Sequence, residues 1–366
     1  MTQNLDQALL ADHTYDIAII GAGIAGSYCA AQLSAAGLNV AILEKSRGTG
    51  GRASSRRIPA KHSGNSKEPS SIDTSCELGA PFFHGSDTNL QADINDWLSQ
   101  KVIAEWPAAD TKTSAGTTVK AYTGIPRMSA LTRHLCAQIG NSHIYTGQRV
   151  THIDRAVADH KLWYLRDDRY QVLMRARQLI ITAPAAQSAQ LLCSADTPQT
   201  FLLSAHQAMR CCSPQWAAIV TPLTDSASAA LCDSNSVLEP QHPVLARAIC
   251  DSAKPGRITQ PERWVLQASP TWSKTYQDAT PQWIGEQLLS AFQSLFLLPL
   301  DELAISNVHR WRLARHHSAA NAVTESWLWD KDTNLGIAAD WLSDGSVAGA
   351  LLSAKFLSKQ IISANK

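Results

Sequence analysis

The most constraining feature of the chain is residues 15–44, YDIAIIGAGIAGSYCAAQLSAAGLNVAILE. The β-branched apolar run 16–20 predicts a buried parallel strand. Gly21, Gly23 and Gly26 follow it in G-x-G-x-x-G spacing. The first glycine permits a tight turn, the second lets the backbone approach a pyrophosphate, and the third lets the helix pack close to the strand. The segment therefore predicts a dinucleotide-binding turn.

The residues after this turn support the same interpretation. A helix is predicted over 24–33, and its free N–H groups and positive dipole end would face the phosphates. A second strand, 39–43, is followed by Glu44, which stands 18 positions after Gly26. An acidic residue there accepts hydrogen bonds from ribose hydroxyls. The alternative, a glycine-rich turn in an unrelated α/β unit, leaves Glu44 without a role.

The composition of the chain restricts the classes of protein to which it can belong. With 366 residues, 45% of them hydrophobic, the chain is long enough for two domains. A formal net charge of +1 and the lack of a basic tract give no reason to expect a nucleic-acid partner. No apolar run reaches membrane-spanning length, and residues 1–13 lack the order of a signal peptide. We therefore expect a cytoplasmic protein with a loose N-terminal arm.

The eight cysteines are scattered without a C-x-x-C pair, and no zinc-ligand spacing is found. This pattern indicates free thiols in a reducing compartment. Cys211 and Cys212 are adjacent and could form a vicinal redox pair, but neighbouring residues reach disulfide geometry only under strain. We predict neither a disulfide framework nor a metal site.

A second glycine-rich turn follows Glu44, with the sequence KSRGTGGR at 45–52. A diphosphate is stabilised by backbone N–H groups and by a guanidinium fork together. Lys45, Gly51 and Arg52 are therefore candidate ligands, and Arg52 is the best phosphate contact. A solvated basic loop is the alternative. The stretch 54–76 is rich in Ser, Pro and charge and predicts an exposed excursion.

The segment 77–84, ELGAPFFH, combines small residues with two aromatic rings. Gly79 and Ala80 would leave room for a flat ring, and the side chains of Phe82 and Phe83 would line the space around it. Ordinary core packing of the two phenylalanines is the alternative. Farther on, residues 106–122 predict a hairpin or a lid.

The middle of the chain predicts two sheets. Short alternating runs over 143–174 are typical of an antiparallel meander, and 179–183 predicts a separate buried strand. The runs 216–221, 244–250 and 264–268 predict strands of a second sheet.

The C-terminal part predicts a strand, an acid and the start of a helix. Asp340 follows the predicted strand 335–338, and the sequence SDGS at 343–346 can cap a helix beginning at Val347. A flavin suits such a pair, because the acid binds ribityl or ribose hydroxyls and the helix dipole stabilises negative charge on the reduced ring. A surface turn with a solvated Asp340 is the alternative.

These motifs resemble the flavin-containing amine oxidase superfamily, and within it the bacterial renalase-like proteins. The first two matching motifs, GAGIAG at 21–26 and EKSRGTGGR at 44–52, mark the wider flavoprotein class. Further matches are LGAPFF at 78–83, PRMSAL at 126–131, TAPAAQ at 182–187 and DW at 340–341. The segments WVLQASPTWS at 264–273 and HRW at 309–311 point to renalase-like proteins.

The resemblance implies an α/β fold with a Rossmann-like FAD-binding domain of the glutathione-reductase and amine-oxidase type. This domain would be discontinuous, with an inserted α+β substrate domain built on an antiparallel sheet. We expect the FAD-binding domain at 14–85, 124–193 and 305–366, and the substrate domain at 86–123 and 194–304.

The resemblance also implies non-covalent FAD. The residues expected to bind its ADP half are Gly21, Gly23, Ile24, Ala25, Gly26, Glu44, Lys45, Gly51 and Arg52, with Val150 near the adenine. Those expected along the flavin half are Gly79, Ala80, Asp340 and Val347.

Renalases oxidise dihydronicotinamide isomers and pass the electrons to dioxygen, which gives hydrogen peroxide. By this likeness the residues bordering the substrate would be Phe82, Phe83, Pro126, Arg127, Gln267 and Trp311. Hydride transfer to flavin N5 needs no general base here, because losing hydride makes the ring aromatic. Arg127 as a surface cation and Trp311 as a core residue are the alternatives. His309, His316 and His317 are weaker candidates for bases.

The chain departs from the renalase pattern in three places. Gln267 stands where a histidine is expected, Ala339 replaces a glycine, and the 54–76 excursion is long. An amine oxidase of the same fold and a low-turnover flavin-bearing sensor or binding protein therefore remain alternatives. The expected partners are a small-molecule substrate and dioxygen, with no nucleic acid and no membrane, in a monomer or weak homodimer.

Overall fold

The computed structural model describes residues 13–58, 74–139, 143–155, 161–232, 235–296, 302–317 and 325–365. Residues 1–12 of the expected N-terminal arm and 59–73 of the expected excursion lie outside this part of the chain. Two compact units are formed: unit 1 comprises Met1–Gly51, Leu131–Cys212 and His316–Lys366, and unit 2 comprises Arg52–Ala130 and Ser213–Arg315. The domain boundaries expected from the sequence stay a prediction.

Strands occur throughout both units. They are β1 (Thr14–Ile20), β2 (Val40–Glu44), β3 (Arg56–Ile58), β4 (Thr74–Cys76), β5 (Phe83–His84), β6 (Ile103–Glu105), β7 (Thr111–Lys112), β8 (Thr118–Val119), β9 (Ala121–Gly124), β10 (Ile144–Thr146), β11 (His152–Arg155), β12 (Trp163–Arg166), β13 (Val172–Ile181), β14 (Cys212–Pro222), β15 (Val237–Leu238), β16 (Leu245–Cys250), β17 (Trp264–Ala268), β18 (Leu303–His316), β19 (Leu328–Asp330) and β20 (Leu335–Ile337). The helices are α1 (Ile24–Ala35), α2 (Gln91–Ser99), α3 (Ala130–Ala137), α4 (Ala185–Leu192), α5 (Gln199–Arg210), α6 (Asp225–Cys232), α7 (Pro270–Thr275), α8 (Pro281–Phe296) and α9 (Val347–Ala364).

Unit 1 is built on a sheet with the strand order β10-β2-β1-β13-β12-β11. The pairs β10–β2, β2–β1 and β1–β13 are parallel, and β20 also pairs in parallel with β13. Strands β11, β12 and β13 pair antiparallel, which confirms the part of the predicted meander that begins at 149. The mixed sheet and its helices confirm the Rossmann-like fold class.

Two strand predictions in this sheet are wrong. The run 143–145 is not part of the meander, because β10 pairs in parallel with β2 at its far edge. The runs 170–174 and 179–183 are not separate strands, because β13 is continuous from Val172 to Ile181. One edge of β13 pairs with β1, and the opposite edge is shared by β12 near its start and β20 near its end.

Helix α1 packs closely within unit 1 because many of its side chains are small. Ala30 and Ala31 are fully buried, so the helix can pack closely on other elements on more than one side. Helix α9 lies against it, and the thiol of Cys29 donates to the carbonyl of Ala354 at 3.6 Å. The C-terminal helix is therefore part of the same unit as the first strand–turn–helix.

Unit 2 is built on a second sheet with the order β15-β16-β17-β14-β18. Strands β15 to β17 and the pair β17–β14 are antiparallel, as predicted. Helix α8 supplies a buried face from Ile284, Leu288 and Phe292, whose spacing of four follows the helical repeat. Strands β7 and β8 form the hairpin predicted within 106–122.

A buried ionic cluster joins distant segments of unit 2; we call it the Lys254 cluster, and it comprises Glu77, Asp251, Lys254 and Arg257. The ammonium of Lys254 lies 2.7 Å from Glu77 Oε2 and 2.5 Å from Asp251 Oδ1. The Arg257 guanidinium donates to both oxygens of Glu77 at 3.2 Å. Two positive and two negative groups therefore balance in the interior.

The pKa values in this cluster follow from burial opposed by charge. Burial by itself raises the pKa of Glu77, but Lys254 and Arg257 outweigh it and hold that pKa well below its usual range. Burial, and next the charge of Glu77, raise the pKa of Asp251 to about 6. Glu77 is therefore the carboxylate to which the two cations are chiefly committed.

Replacing Lys254 by methionine should destabilise unit 2 by about 3–5 kcal/mol, because it leaves buried carboxylates with one cation. Their pKa values would then rise above those of the unfolded chain, so the penalty grows as the pH rises. The loss should be larger at about pH 8 than at about pH 5. Urea unfolding of wild-type and Lys254→Met proteins at both pH values measures it.

The control for this prediction is Lys120→Met, since Lys120 pairs with Glu105 on the exposed surface. It should change the urea midpoint little. A Lys254→Met protein as stable as the control would contradict the account of the cluster.

Candidate functional site

The first glycine turn in unit 1 has contacts that only glycine permits. Gly21 has φ +106°, and a Cβ atom on it would lie 2.8 Å from Thr182 Oγ1. A Cβ atom on Gly26 would lie 2.0 Å from the Gly21 carbonyl oxygen. At Gly23 a Cβ atom would meet nothing within 4 Å. The turn is thus closed beneath Gly26 and open at Gly23, where the G-x-G-x-x-G pattern expects the pyrophosphate.

The carboxylate of Glu44 is buried at the end of β2 and binds backbone on both sides. Oε2 accepts from the N–H of Ala22 at 2.8 Å, and Oε1 accepts from the N–H of Ser46 at 2.8 Å. Each carboxylate oxygen has a second lone pair, so Glu44 can still accept from a ribose hydroxyl. It therefore orders the glycine turn as well as offering an acceptor.

The second glycine turn lies directly against the first. The N–H of Gly50 donates to the Ala22 carbonyl at 2.8 Å, and a Cβ atom on Gly51 would lie 3.4 Å from Gly23 Cα. Lys45 donates to Gln187 Oε1 at 3.1 Å, and burial lowers the pKa of Lys45. The two turns thus form one backbone surface.

The C-terminal acid is buried next to a capped helix start. Asp340 begins a short 3₁₀ turn after β20, and its carbonyl accepts from the N–H of Gly345 at 3.1 Å. Ser346 caps α9, with its hydroxyl accepting from the N–H of Gly349 at 2.9 Å, which confirms the predicted cap. Ala339 has extended backbone, φ −161°, so alanine fits there without strain.

The other expected FAD ligands in unit 1 are placed by these elements. Ile24 and Ala25 form the buried first turn of α1, and Val347 is the first residue of α9. Val150 is half-buried and packs on the unit 1 core. Their contacts with the cofactor stay a prediction.

In unit 2 the backbone of Gly79 and Ala80 lies against that of Arg52. The N–H of Ala80 donates to the Arg52 carbonyl at 2.9 Å, and a Cβ atom on Gly79 would lie 2.0 Å from the same oxygen. The Arg52 guanidinium donates to the Ala314 carbonyl at 3.4 Å. Its predicted phosphate contact stays a prediction.

Gln267 and Trp311 hold the same segment from two strands of unit 2. The side-chain N–H of Gln267 donates to the Gly79 carbonyl at 2.7 Å, and the indole N–H of Trp311 donates to the Leu78 carbonyl at 3.0 Å. Gln267 Oε1 accepts from Arg315 Nη2 at 3.1 Å. The residues suggested by the renalase-like motifs therefore meet at Leu78 and Gly79.

The two phenylalanines have different surroundings. Phe82 packs edge-on to Trp106 at 5.6 Å, and the guanidinium of Arg247 lies over its ring at 5.3 Å. Phe83 lies in β5 and packs against Tyr122 at 5.6 Å, as an ordinary core residue does. Of the pair, Phe82 lies nearer to charged groups.

The structure gives less support to the roles predicted for Pro126, Arg127 and the three histidines. Arg127 is half-buried, and Pro126 is exposed. Burial, and next the charge of Arg56, lower the pKa of His309, whose ring packs edge-on to Trp311 at 4.6 Å. His316 ends β18 in the other unit, and the backbone N–H of His317 donates to the Cys211 carbonyl at 2.9 Å. The predicted roles of Pro126, Arg127 and the three histidines stay predictions.

Sequence reasoning missed three features of these sites. Thr182 was noticed only within a motif, yet its hydroxyl contacts the glycine turn and donates to the Ile20 carbonyl at 2.9 Å. Arg315 stands four residues after Trp311 on β18, and alternation along a strand would have put both on one face. The Lys254 cluster has no local sequence signal.

Two descriptions of known protein families match this chain. The description "Flavin containing amine oxidoreductase" matches residues 100–362, and the description "NAD(P)-binding Rossmann-like domain" matches residues 19–97. The chain belongs to the flavin-containing amine oxidoreductase family. It is accordingly an FAD-dependent oxidoreductase. The free space at Gly23, the paired glycine turns and the buried acceptor Glu44 fit the diphosphate and ribose of that cofactor.

Solved structures agree with this fold. Wild-type putrescine oxidase bound to putrescine is 12% identical, with coverage of 96% of this chain and 99% of that chain and a TM-score of 0.64. Cyclohexylamine oxidase from Brevibacterium oxydans IH-35A is 13% identical, with the same coverage and a TM-score of 0.63. None of the helices described here is both long and apolar enough to span a membrane.

We expect Glu44→Gln to weaken FAD binding about tenfold or more, because the amide NH₂ would face a backbone N–H instead of accepting from it. The ratio of FAD to protein after gel filtration measures the effect. Glu105→Gln, an exposed substitution, is the control and should retain its cofactor. Full FAD content in Glu44→Gln would contradict the role of this carboxylate.

Proposed function

We propose that this enzyme is a renalase-like oxidase, which takes a hydride from a dihydronicotinamide isomer and reduces dioxygen to hydrogen peroxide. Bound FAD supplies the two-electron acceptor. The observation that carries the proposal is the state of Gln267, which is 1% exposed and hydrogen-bonded at both ends of its amide.

The hydrogen bonds of Gln267 leave no proton acceptor at this position. Its NH₂ group is committed to the Gly79 carbonyl, and its oxygen is committed to Arg315. Trp311 contributes an indole N–H, which only donates. These side chains therefore fix the backbone at 78–79 and set a positive charge beside it, without offering a general base.

This arrangement suits a dihydronicotinamide better than an amine. A dihydronicotinamide becomes aromatic when it loses hydride, so no proton has to be removed. An alkylamine is mostly protonated near neutral pH and has to lose that proton before it can give up hydride. A guanidinium near the substrate disfavours the ammonium form. Arg315 therefore favours the renalase-like reaction.

Amine oxidation is the second candidate. Family membership and the likeness to putrescine oxidase and cyclohexylamine oxidase support it. One feature of unit 2 also favours it, since the rings of Phe82 and Trp106 lie edge to face and could contribute to an aromatic cage. A low-turnover flavin-bearing sensor or binding protein is the third candidate.

Anaerobic mixing of the holoenzyme with candidate donors tests the proposal. NADH containing its 2- and 6-dihydro isomers should bleach the flavin in proportion to the isomers, and air should then yield hydrogen peroxide. Isomer-free NADH is the matched control and should bleach it slowly. Bleaching by putrescine or cyclohexylamine alone would establish the amine oxidase instead, and bleaching by no donor would favour the low-turnover protein.

The substitution Gln267→Leu should slow flavin reduction by the isomers about tenfold or more, because the Gly79 carbonyl loses its partner and the backbone there relaxes. FAD content should stay unchanged. Stopped-flow absorbance measures the rate, with the exposed substitution Gln282→Leu as control. A Gln267→Leu enzyme that is reduced at the wild-type rate would remove Gln267 from the proposed reaction.

A further inference from the structure

Arg315 has the features of an anion receptor. It is the last residue of unit 2 and lies half-buried near the end of β18. Its Nε donates to Gln215 Oε1 at 3.1 Å, and its Nη2 donates to Gln267 Oε1 at 3.1 Å. We propose that Arg315 binds an oxyanion of the substrate, a carboxylate or a phosphate group; this rests on the proposed function, since it concerns the same substrate.

Both glutamines that hold the guanidinium are themselves fixed. Gln215 donates its NH₂ group to the Ala268 carbonyl at 3.0 Å, and Gln267 donates its own to the Gly79 carbonyl at 2.7 Å. Their oxygens therefore have to face Arg315. The guanidinium is held in one orientation by side chains of β14 and β17, which is the preorganisation that a binding group requires.

The positive charge of Arg315 has no counter-ion within the described residues. The charged groups that act on it are Arg247 and Glu239, and these two form an ion pair with each other, with Arg247 Nε 2.7 Å from Glu239 Oε1. Burial, and next Arg247, lower the pKa of Arg315. A partly buried charge is unfavourable unless it is paired, so an anionic ligand would stabilise this arrangement.

The hydrogen-bond count also leaves room for a ligand. A guanidinium has five N–H groups in a fixed fork, and the described residues accept two of those of Arg315. The Nη1 pair and one N–H on Nη2 remain, and they have the geometry that binds a carboxylate or phosphate through two oxygens. A guanidinium that merely bridged two glutamines would need neither its charge nor these donors.

The substrate's own groups provide the test in the holoenzyme. Dihydronicotinamide mononucleotide isomers carry a phosphate, and the corresponding ribosides do not. If the anion is the phosphate, Arg315→Gln should raise KM for the mononucleotide about 10- to 100-fold more than it raises KM for the riboside. Arg315→Lys should recover part of the loss, because it keeps the charge and loses the fork.

A second arm distinguishes a carboxylate on the ring. Wild-type enzyme should then prefer dihydronicotinic acid riboside to dihydronicotinamide riboside, and Arg315→Gln should abolish that preference. Arg312→Gln changes an exposed arginine on the same strand and is the matched control. Equal losses for all three substrates in Arg315→Gln would show that Arg315 only supports the fold, and would overturn the inference.

Binding without turnover separates this inference from the proposed function. Titration of the holoenzyme with inorganic phosphate and with benzoate, followed by flavin absorbance, requires no hydride donor. A saturable change in wild type that is lost in Arg315→Gln supports the anion site even if no dihydronicotinamide is oxidised. The lack of a saturable change with either anion would overturn the site, whatever the enzyme oxidises.

Discussion

The absence of a side chain at Gly26 is the constraint on which unit 1 depends. A Cβ atom there would lie 2.0 Å from the Gly21 carbonyl oxygen, so no other residue allows α1 to begin directly at the turn. At Gly23 a Cβ atom would meet nothing within 4 Å, and the unpaired N–H groups at the start of a helix favour an anion. Glu44 then ties the turn to β2, and α9 packs on the same helix. The cofactor-binding turn and the packing of unit 1 thus both depend on the missing side chain at Gly26.

Unit 2 depends on a short backbone segment held from several sides. Glu77 belongs to the Lys254 cluster, the Leu78 carbonyl binds Trp311, and the Gly79 carbonyl binds Gln267. Three successive residues are thus anchored by side chains that are remote in sequence. Since Gln267 also binds Arg315, the segment that the flavin-family motif identifies is coupled to the Arg315 guanidinium. Both the reaction that we propose and the anion that we infer follow from this coupling.

Local sequence patterns predicted much of this structure. They did not predict contacts between residues that are far apart in the sequence. The spacing of Gly21, Gly23 and Gly26 specified a strand, turn and helix because each step is short and sterically determined. The Lys254 cluster could not be predicted, because Glu77 and Lys254 are 177 residues apart and charged residues are usually exposed. Two strands were predicted on either side of the polar stretch 175–178, because its charged residues interrupt the apolar pattern. The structure has the single strand β13 there, since pairing with β1 along one edge keeps it continuous.

The reaction that we propose needs no proton acceptor from the protein. The most direct test is the pH dependence of flavin reduction by a dihydronicotinamide isomer, measured anaerobically by stopped flow at saturating donor. We expect a rate constant that stays level across the pH range in which histidine and alkylamines titrate, together with a primary isotope effect when the transferred hydrogen is deuterium. A rate that rises with pH along a single titration curve would contradict it and would indicate a base or an amine substrate.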